Sequence, residues 1–104
     1  MRRVAFTMKL KPGFAAEYER RHDEIWPELR KTLSEAGISD YSIFLDKRSS
    51  TLFAVHKVSD DFDPTFIPEN PVVKQWWLFM ADIMETNRDH SPVTEALDEV
   101  FHMD

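Results

Sequence analysis

The chain has 104 residues, 42% of them hydrophobic, a formal net charge of −6 and no cysteine. Without cysteine there is no disulfide framework, thiolate nucleophile or zinc–thiolate site, a composition that fits a reducing cytoplasm. The acidic balance argues against nucleic-acid binding, which needs a basic footprint; MRRVAFTMKL lacks the apolar run of a signal peptide, and the longest apolar run, residues 76–81, is far too short to span a bilayer.

Residues 2–10 alternate. Val4, Phe6, Met8 and Leu10 share one face and Ala5, Thr7 and Lys9 the other, which predicts a strand. Lys11-Pro12-Gly13 ends it. From Phe14 the period lengthens. Phe14, Tyr18, His22, Ile25, Leu29 and Leu33 recur at helical steps and form an inward stripe. Glu17, Glu19, Arg20, Arg21, Glu24, Glu28 and Lys31 read as the ordinary solvated face. Pro27 removes a helix hydrogen bond and crowds the preceding turn, so a kink or a fresh helix start is expected at Trp26-Pro27. Gly37 supplies the stop.

Tyr41–Leu45 and Thr51–Val58 are the next alternating runs, and 46–50 (DKRSS) is short enough to join them as a hairpin. Apolar side chains fall on both faces of these runs, which predicts a sheet covered on both sides. Residues 60–71 (DDFDPTFIPENP) read as a loop with apolar tethers. Asn70-Pro71 has the signature of an N-cap followed by proline at the first helical position. A helix is expected over roughly 71–85, apolar nearly all the way round and therefore buried on more than one side. A loop over 86–92, a helical turn at 93–97 and a short final strand at 98–103 complete the chain.

The order strand, helix, strand, strand, helix, strand is the βαββαβ pattern of a ferredoxin-like α+β sandwich. Residues 1–104 are one domain's length. A domain this small buries a modest share of its surface, and a second copy of the chain is the simplest cover for the sheet face that the helices leave free.

Tyr18 and His22 lie one turn apart on the apolar stripe, so their side chains are neighbours. Both are accounted for as core residues with satisfied polar tips. The other reading is a histidine held in a pocket, where an ordinary pKa of about 6.5 lets it exchange a proton near neutrality, with the tyrosine orienting it or holding a hydroxyl. Tyr41, at the start of its strand, packs or aims its hydroxyl into the same pocket. Trp76 and Trp77 point about 100° apart on their helix; one can pack inward while the other lines a cavity or an interface. An indole face suits the C–H face of a pyranose, and dimer packing explains the pair equally well. His22, His56, His90 and His102 have no metal-ligand spacing. No glycine-rich phosphate loop or nucleophile elbow is present, so no cofactor or metal is expected.

YERRHDEIWPEL, YSIFLDK, TLFAV, QWWLFMADIM, SPV and EVFHM, in that order, closely resemble the L-rhamnose mutarotase family over nearly the whole chain. The resemblance implies a dimeric α/β-barrel built from two ferredoxin-like subunits, and an enzyme that interconverts the α and β anomers of L-rhamnose. The histidine of the RRH motif, His22, is implied to be the proton donor. Tyr18 and Tyr41 are implied to bind substrate, with Trp76 and Trp77 lining the sugar pocket. Where the family pattern has a short helix, the proline-rich 60–71 segment departs from it. Two other readings belong to different classes: a haem-binding member of the dimeric ferredoxin-like folds, and a sugar-binding or dimerisation module without catalysis.

Overall fold

The computed structural model describes residues 1–104. In chain order the elements are β1 (Arg2–Lys9), α1 (Ala15–Asp23), α2 (Pro27–Glu35), β2 (Ile38–Asp46), β3 (Thr51–Val58), α3 (Phe66–Glu69), α4 (Pro71–Met80), a 3₁₀ turn (Ala81–Ile83) and β4 (Thr94–Leu97). The strands form one antiparallel sheet in the order β2-β3-β1-β4. This is the ferredoxin-like α+β arrangement expected from the element order.

Register fixes the faces. Val4 pairs with His56, Phe6 with Ala54 and Met8 with Leu52. Ile43 and Leu45 of β2 pair with Ala54 and Leu52. This alternate set packs under the helices, and its core joins Met8, Leu10, Leu52 and Ala54 to Tyr18, Leu29, Val73, Trp76, Met80, Ile83 and Met84. The other face carries Phe44, which is 67% exposed, with Phe53 and Leu97 also exposed. Within one chain, therefore, the sheet is covered on one side only, and the open face is the one for which a second copy was the expected cover.

The helical stripe breaks at the proline. Trp26 is extended (φ −60°, ψ 128°) and Pro27 opens α2. The residue before a proline avoids the α region, and proline's missing N–H is no loss at a first helical position. Tyr18 and Leu29 of the stripe are buried, but Phe14 is 38% exposed; it precedes the helix as its N-cap residue and so lies off the inward face. Gly37 ends α2 at φ +99°, where a Cβ would collide with Ser59 Oγ. Asn70 Oδ1 accepts from the N–H groups of Val72 and Val73 at 2.9 and 3.2 Å, capping α4 as expected.

Four expectations are corrected. Residues 60–71 are not all loop, because α3 forms over Phe66–Glu69 with Pro68 inside it. A single turn tolerates proline, since the N–H groups of a first turn have no intrahelical acceptor. Phe62 and Ile67 are the half-buried tethers there, and Phe66 is exposed. The helical turn expected at 93–97 is a strand, and the strand expected at 98–103 has no regular structure. Glu95, Ala96 and Leu97 favour helix by propensity. The free edge of β1 overrides them, pairing Ala5 with Leu97 and Phe6 with Ala96, because backbone donors and acceptors seek partners. Finally, α4 hides only one side: Val73, Trp76 and Met80 are buried while Leu78 is 60% exposed.

Candidate active site

α1 and α4 lie over the sheet and leave a groove of about 1590 Å³. That exceeds the roughly 300–1,000 Å³ of ordinary small-molecule pockets, so what matters is where its polar groups converge. All five residues singled out in the sequence line it: Tyr18, His22, Tyr41, Trp76 and Trp77.

The helical period places Tyr18 and His22 side by side, and their rings stack at 4.2 Å with planes 28° apart. Contacts of this kind contribute about 0.5–1.5 kcal/mol beyond burial and hold the imidazole in one orientation. Its Nδ1 lies 3.0 Å from the Tyr18 carbonyl. A carbonyl can only accept, so Nδ1 carries the proton and Nε2 keeps a lone pair. Burial pushes the His22 pKa below its ordinary value; the bond to the Tyr18 carbonyl and the charge of Asp23 oppose that in part. His22 is therefore mostly neutral at pH 7.

Trp76 is 8% exposed and closes one wall. Its ring stands perpendicular to His22 at 5.4 Å and is edge-on to Trp26 at 5.1 Å. Trp77 is half-buried and packs at the margin of the core. The tandem pair thus differs in burial, Trp76 inside the core and Trp77 at its margin, while both line the groove. Trp26, read from the sequence only as a bend, also joins the aromatic wall, packing on Phe79 at 5.5 Å. The signal for it was weak, because a residue before proline sits outside the helical period.

Tyr41 reaches the groove through a β-bulge. Ser39 pairs with Lys57 and Ser42 with Val55, leaving one extra residue on β2. Asp40 absorbs the kink at φ +50°. The bulge allows Ile38 and Tyr41, of opposite parity, to share the helix-facing side, and bulges commonly re-aim side chains beside functional sites. Tyr41 is 40% exposed, yet protein surrounds its phenol on the groove side and raises its pKa to about 12. Burial raises the Tyr18 phenol further, with a smaller contribution from the neighbouring Tyr41. Both hydroxyls stay protonated at neutral pH, so they serve as hydrogen-bonding groups and not as bases.

His56 completes the sheet side. It is 7% exposed, tilts against Tyr41 at 4.9 Å and meets Phe6 edge-on at 5.9 Å. Its parity with Leu52, Ala54 and Val58 makes it inward-facing, a signal carried by the alternation of β3. No group of three or more metal-ligating side chains converges anywhere in the chain. No helix is long and apolar enough to cross a membrane.

Arg21 is not the solvated charge its helix position suggested. Its side chain is only 10% exposed. It donates to the Phe79 carbonyl at 2.8 Å, to both Asp82 oxygens at 2.9 and 3.2 Å and to Glu17 at 2.7 Å. The guanidinium also lies 4.6 Å over the Phe79 ring. This clamp holds α1, which carries Tyr18 and His22, against the end of α4, which carries the tryptophans.

Comparison with known proteins bears on this arrangement. The family model described as L-rhamnose mutarotase matches residues 3–103. An L-rhamnose mutarotase of Flavobacterium johnsoniae is 57% identical over 102 residues, covering 98% of this chain and 95% of the relative. One from Phocaeicola vulgatus is 56% identical, covering 100% of both chains. The crystal structure of the L-rhamnose mutarotase from Formosa agariphila superposes with a TM-score of 0.93 at 50% identity, covering 100% of each chain. Identity at this level, sustained end to end and matched by the fold, means that the chain belongs to the L-rhamnose mutarotase family.

Proposed function

We propose that this protein interconverts the α and β anomers of L-rhamnose by opening and reclosing the ring. The observation that carries this reading is the stacked Tyr18–His22 pair in an aromatic-walled groove. Its imidazole presents a free Nε2 because Nδ1 is committed to the Tyr18 carbonyl. The names of the full-length relatives supply the sugar.

In the proposed sequence, His22 Nε2 takes the proton of the anomeric hydroxyl. The C1–O1 bond becomes a carbonyl as the bond from C1 to the ring oxygen breaks. The imidazolium then protonates the departing ring oxygen. Rotation about the bond from C1 to C2 exposes the other carbonyl face. Closure reverses each step, and His22 recovers the proton that it gave. The two oxygens share C1, so one nitrogen can serve both in turn. No electrons or groups are exchanged with a third molecule, so the reaction calls for no cofactor. Tyr18 and Tyr41 hold sugar hydroxyls, while Trp76 and Trp77 present apolar faces to the ring and methyl group.

General acid–base catalysis contributes roughly 10²- to 10⁴-fold. His22→Gln should lower enzyme-dependent anomer exchange by that order, measured by saturation-transfer NMR on L-rhamnose. Exchange at the parent rate would remove His22 from this role. A binding module without catalysis would leave exchange at the solvent rate even with the parent chain.

We further infer that residues 1–104 act as one domain, that the working form is a homodimer and that it acts in the cytoplasm. The exposed apolar sheet face around Phe44 and Phe53 supports the dimer. The cysteine-free sequence is in keeping with a reducing compartment, and cell fractionation tests that point.

A further inference from the structure

The groove is bordered by two Tyr–His ring pairs. One is Tyr18–His22 on α1, stacked at 4.2 Å. The other is Tyr41–His56 on β2 and β3, at 4.9 Å with planes 36° apart. Tyr18, His22, Tyr41 and His56 all line the same groove, so the pairs face one space. Of these four residues, only His56 has no role in the mechanism above.

His56 is more than nine-tenths buried, and its Nδ1 is enclosed with no hydrogen-bond partner. The Phe6 and Tyr41 rings pack against it. A buried polar nitrogen left without a partner costs roughly 1–3 kcal/mol, and a histidine that only filled space could be replaced by leucine without that cost. The burden falls unequally on the two tautomers. An enclosed N–H with nothing to donate to is rarer in folded proteins than an under-used acceptor. The favoured tautomer therefore leaves Nδ1 bare and puts the proton on Nε2. Burial holds the ring neutral by lowering its pKa, and the Lys57 backbone opposes this only in part; no bond of ordinary geometry forms to Nδ1. The two histidines then present opposite chemistry to the groove: an accepting Nε2 on His22 and a donating Nε2–H on His56.

We propose that His56 is a further substrate-binding residue, whose Nε2–H donates to a sugar oxygen held against Tyr41. The inference rests on reading the groove as a sugar site. It explains why a neutral donor stands on a strand otherwise filled by Leu52, Ala54 and Val58. A site built to hydrogen-bond a hydroxyl discriminates against analogues that lack it, because its own buried polar group is then left unpaired.

Two measurements test this. For His56→Leu, a neutral hydrogen bond predicts a half-saturating L-rhamnose concentration raised roughly three- to tenfold, with the exchange rate at saturation changed less. An unchanged half-saturation in a folded variant overturns the proposal. On the parent protein, ¹⁵N NMR of the histidine side chains should find His56 protonated at Nε2, with that resonance shifting on addition of L-rhamnose. A His56 protonated at Nδ1, or one whose shifts stay fixed while those of His22 move, overturns it even if the leucine variant does not fold. If L-rhamnose moves neither histidine and the parent chain does not speed anomer exchange, the sugar-site reading fails and this inference fails with it.

Discussion

At the scale of single residues, the site works through what each side chain is prevented from doing. Burial keeps the Tyr18 and Tyr41 phenols protonated, so neither competes with the imidazole as a base. The Tyr18 carbonyl occupies His22 Nδ1, so the proposed proton transfer is confined to Nε2. The pH dependence follows with a definite sign. The mechanism starts from neutral His22, and burial lowers its pKa. The ratio kcat/KM should therefore be level near neutrality and fall as pH drops through that lowered value, with a midpoint below the ordinary 6.5. Tyr41, held at about 12, adds no alkaline limb in the working range. Anomer exchange followed across acidic buffers checks this, and a midpoint above the ordinary histidine value contradicts the assignment. Tyr18 and His22 were legible from the stripe because they stand where leucine would suffice. The tautomer was not legible, since it depends on the ring turning back to its own helix.

At the scale of elements, the site depends on holding α1 against α4. Arg21 does this with one planar group shared among Phe79, Asp82 and Glu17. Asp82 is 66% exposed, so solvent screens its share; the Phe79 carbonyl bond and the contact with the Phe79 ring carry more. Lysine keeps the charge but cannot span these acceptors at once. Arg21→Lys should cost about 1–3 kcal/mol, seen as a lower urea midpoint at unchanged slope. A midpoint equal to the parent's would show that the clamp is idle. Sequence alone could not separate Arg21 from Arg20, because both occupy the charged side of the helix. Arg20 pairs only with Glu17 and Glu24 on its own surface, and the difference lies in what α4 brings opposite. β4 shows the same dependence: its residues favour a helix until the free edge of β1 is offered to them.

At the scale of the whole molecule, the second sheet face is the dominant unsatisfied feature. Phe44 stands 67% exposed opposite Phe53, and Val100, Phe101 and Met103 at the chain's end are exposed as well. Solvated apolar surface of this kind marks an interaction face, and the proposed homodimer would cover it. Phe44→Glu puts a charge where that contact would form. Sedimentation analysis should find the parent chain as a dimer and the variant shifted towards monomer. A parent chain that sediments as a monomer at micromolar concentration overturns the dimer.

The sequence by itself determined most of the elements and singled out much of the candidate site. Period-two runs, a helical stripe, Pro27, Gly37 and the Asn70-Pro71 cap are local signals, and local backbone sterics and burial enforce them. Tyr18, His22, Tyr41, Trp76 and Trp77 stood out as unusual residues on periodic elements, and the family resemblance supplied the roles expected of them. Tertiary structure alone decided which groups meet. The bulge at Asp40 turns Tyr41 inward, the β1 edge converts 94–97 to strand, α4 draws Arg21 out of solvent, and β3 sets His56 under Tyr41. Each of these outcomes depends on a partner distant in the chain, and hydrogen-bond satisfaction and packing between distant segments leave no periodic trace in the sequence.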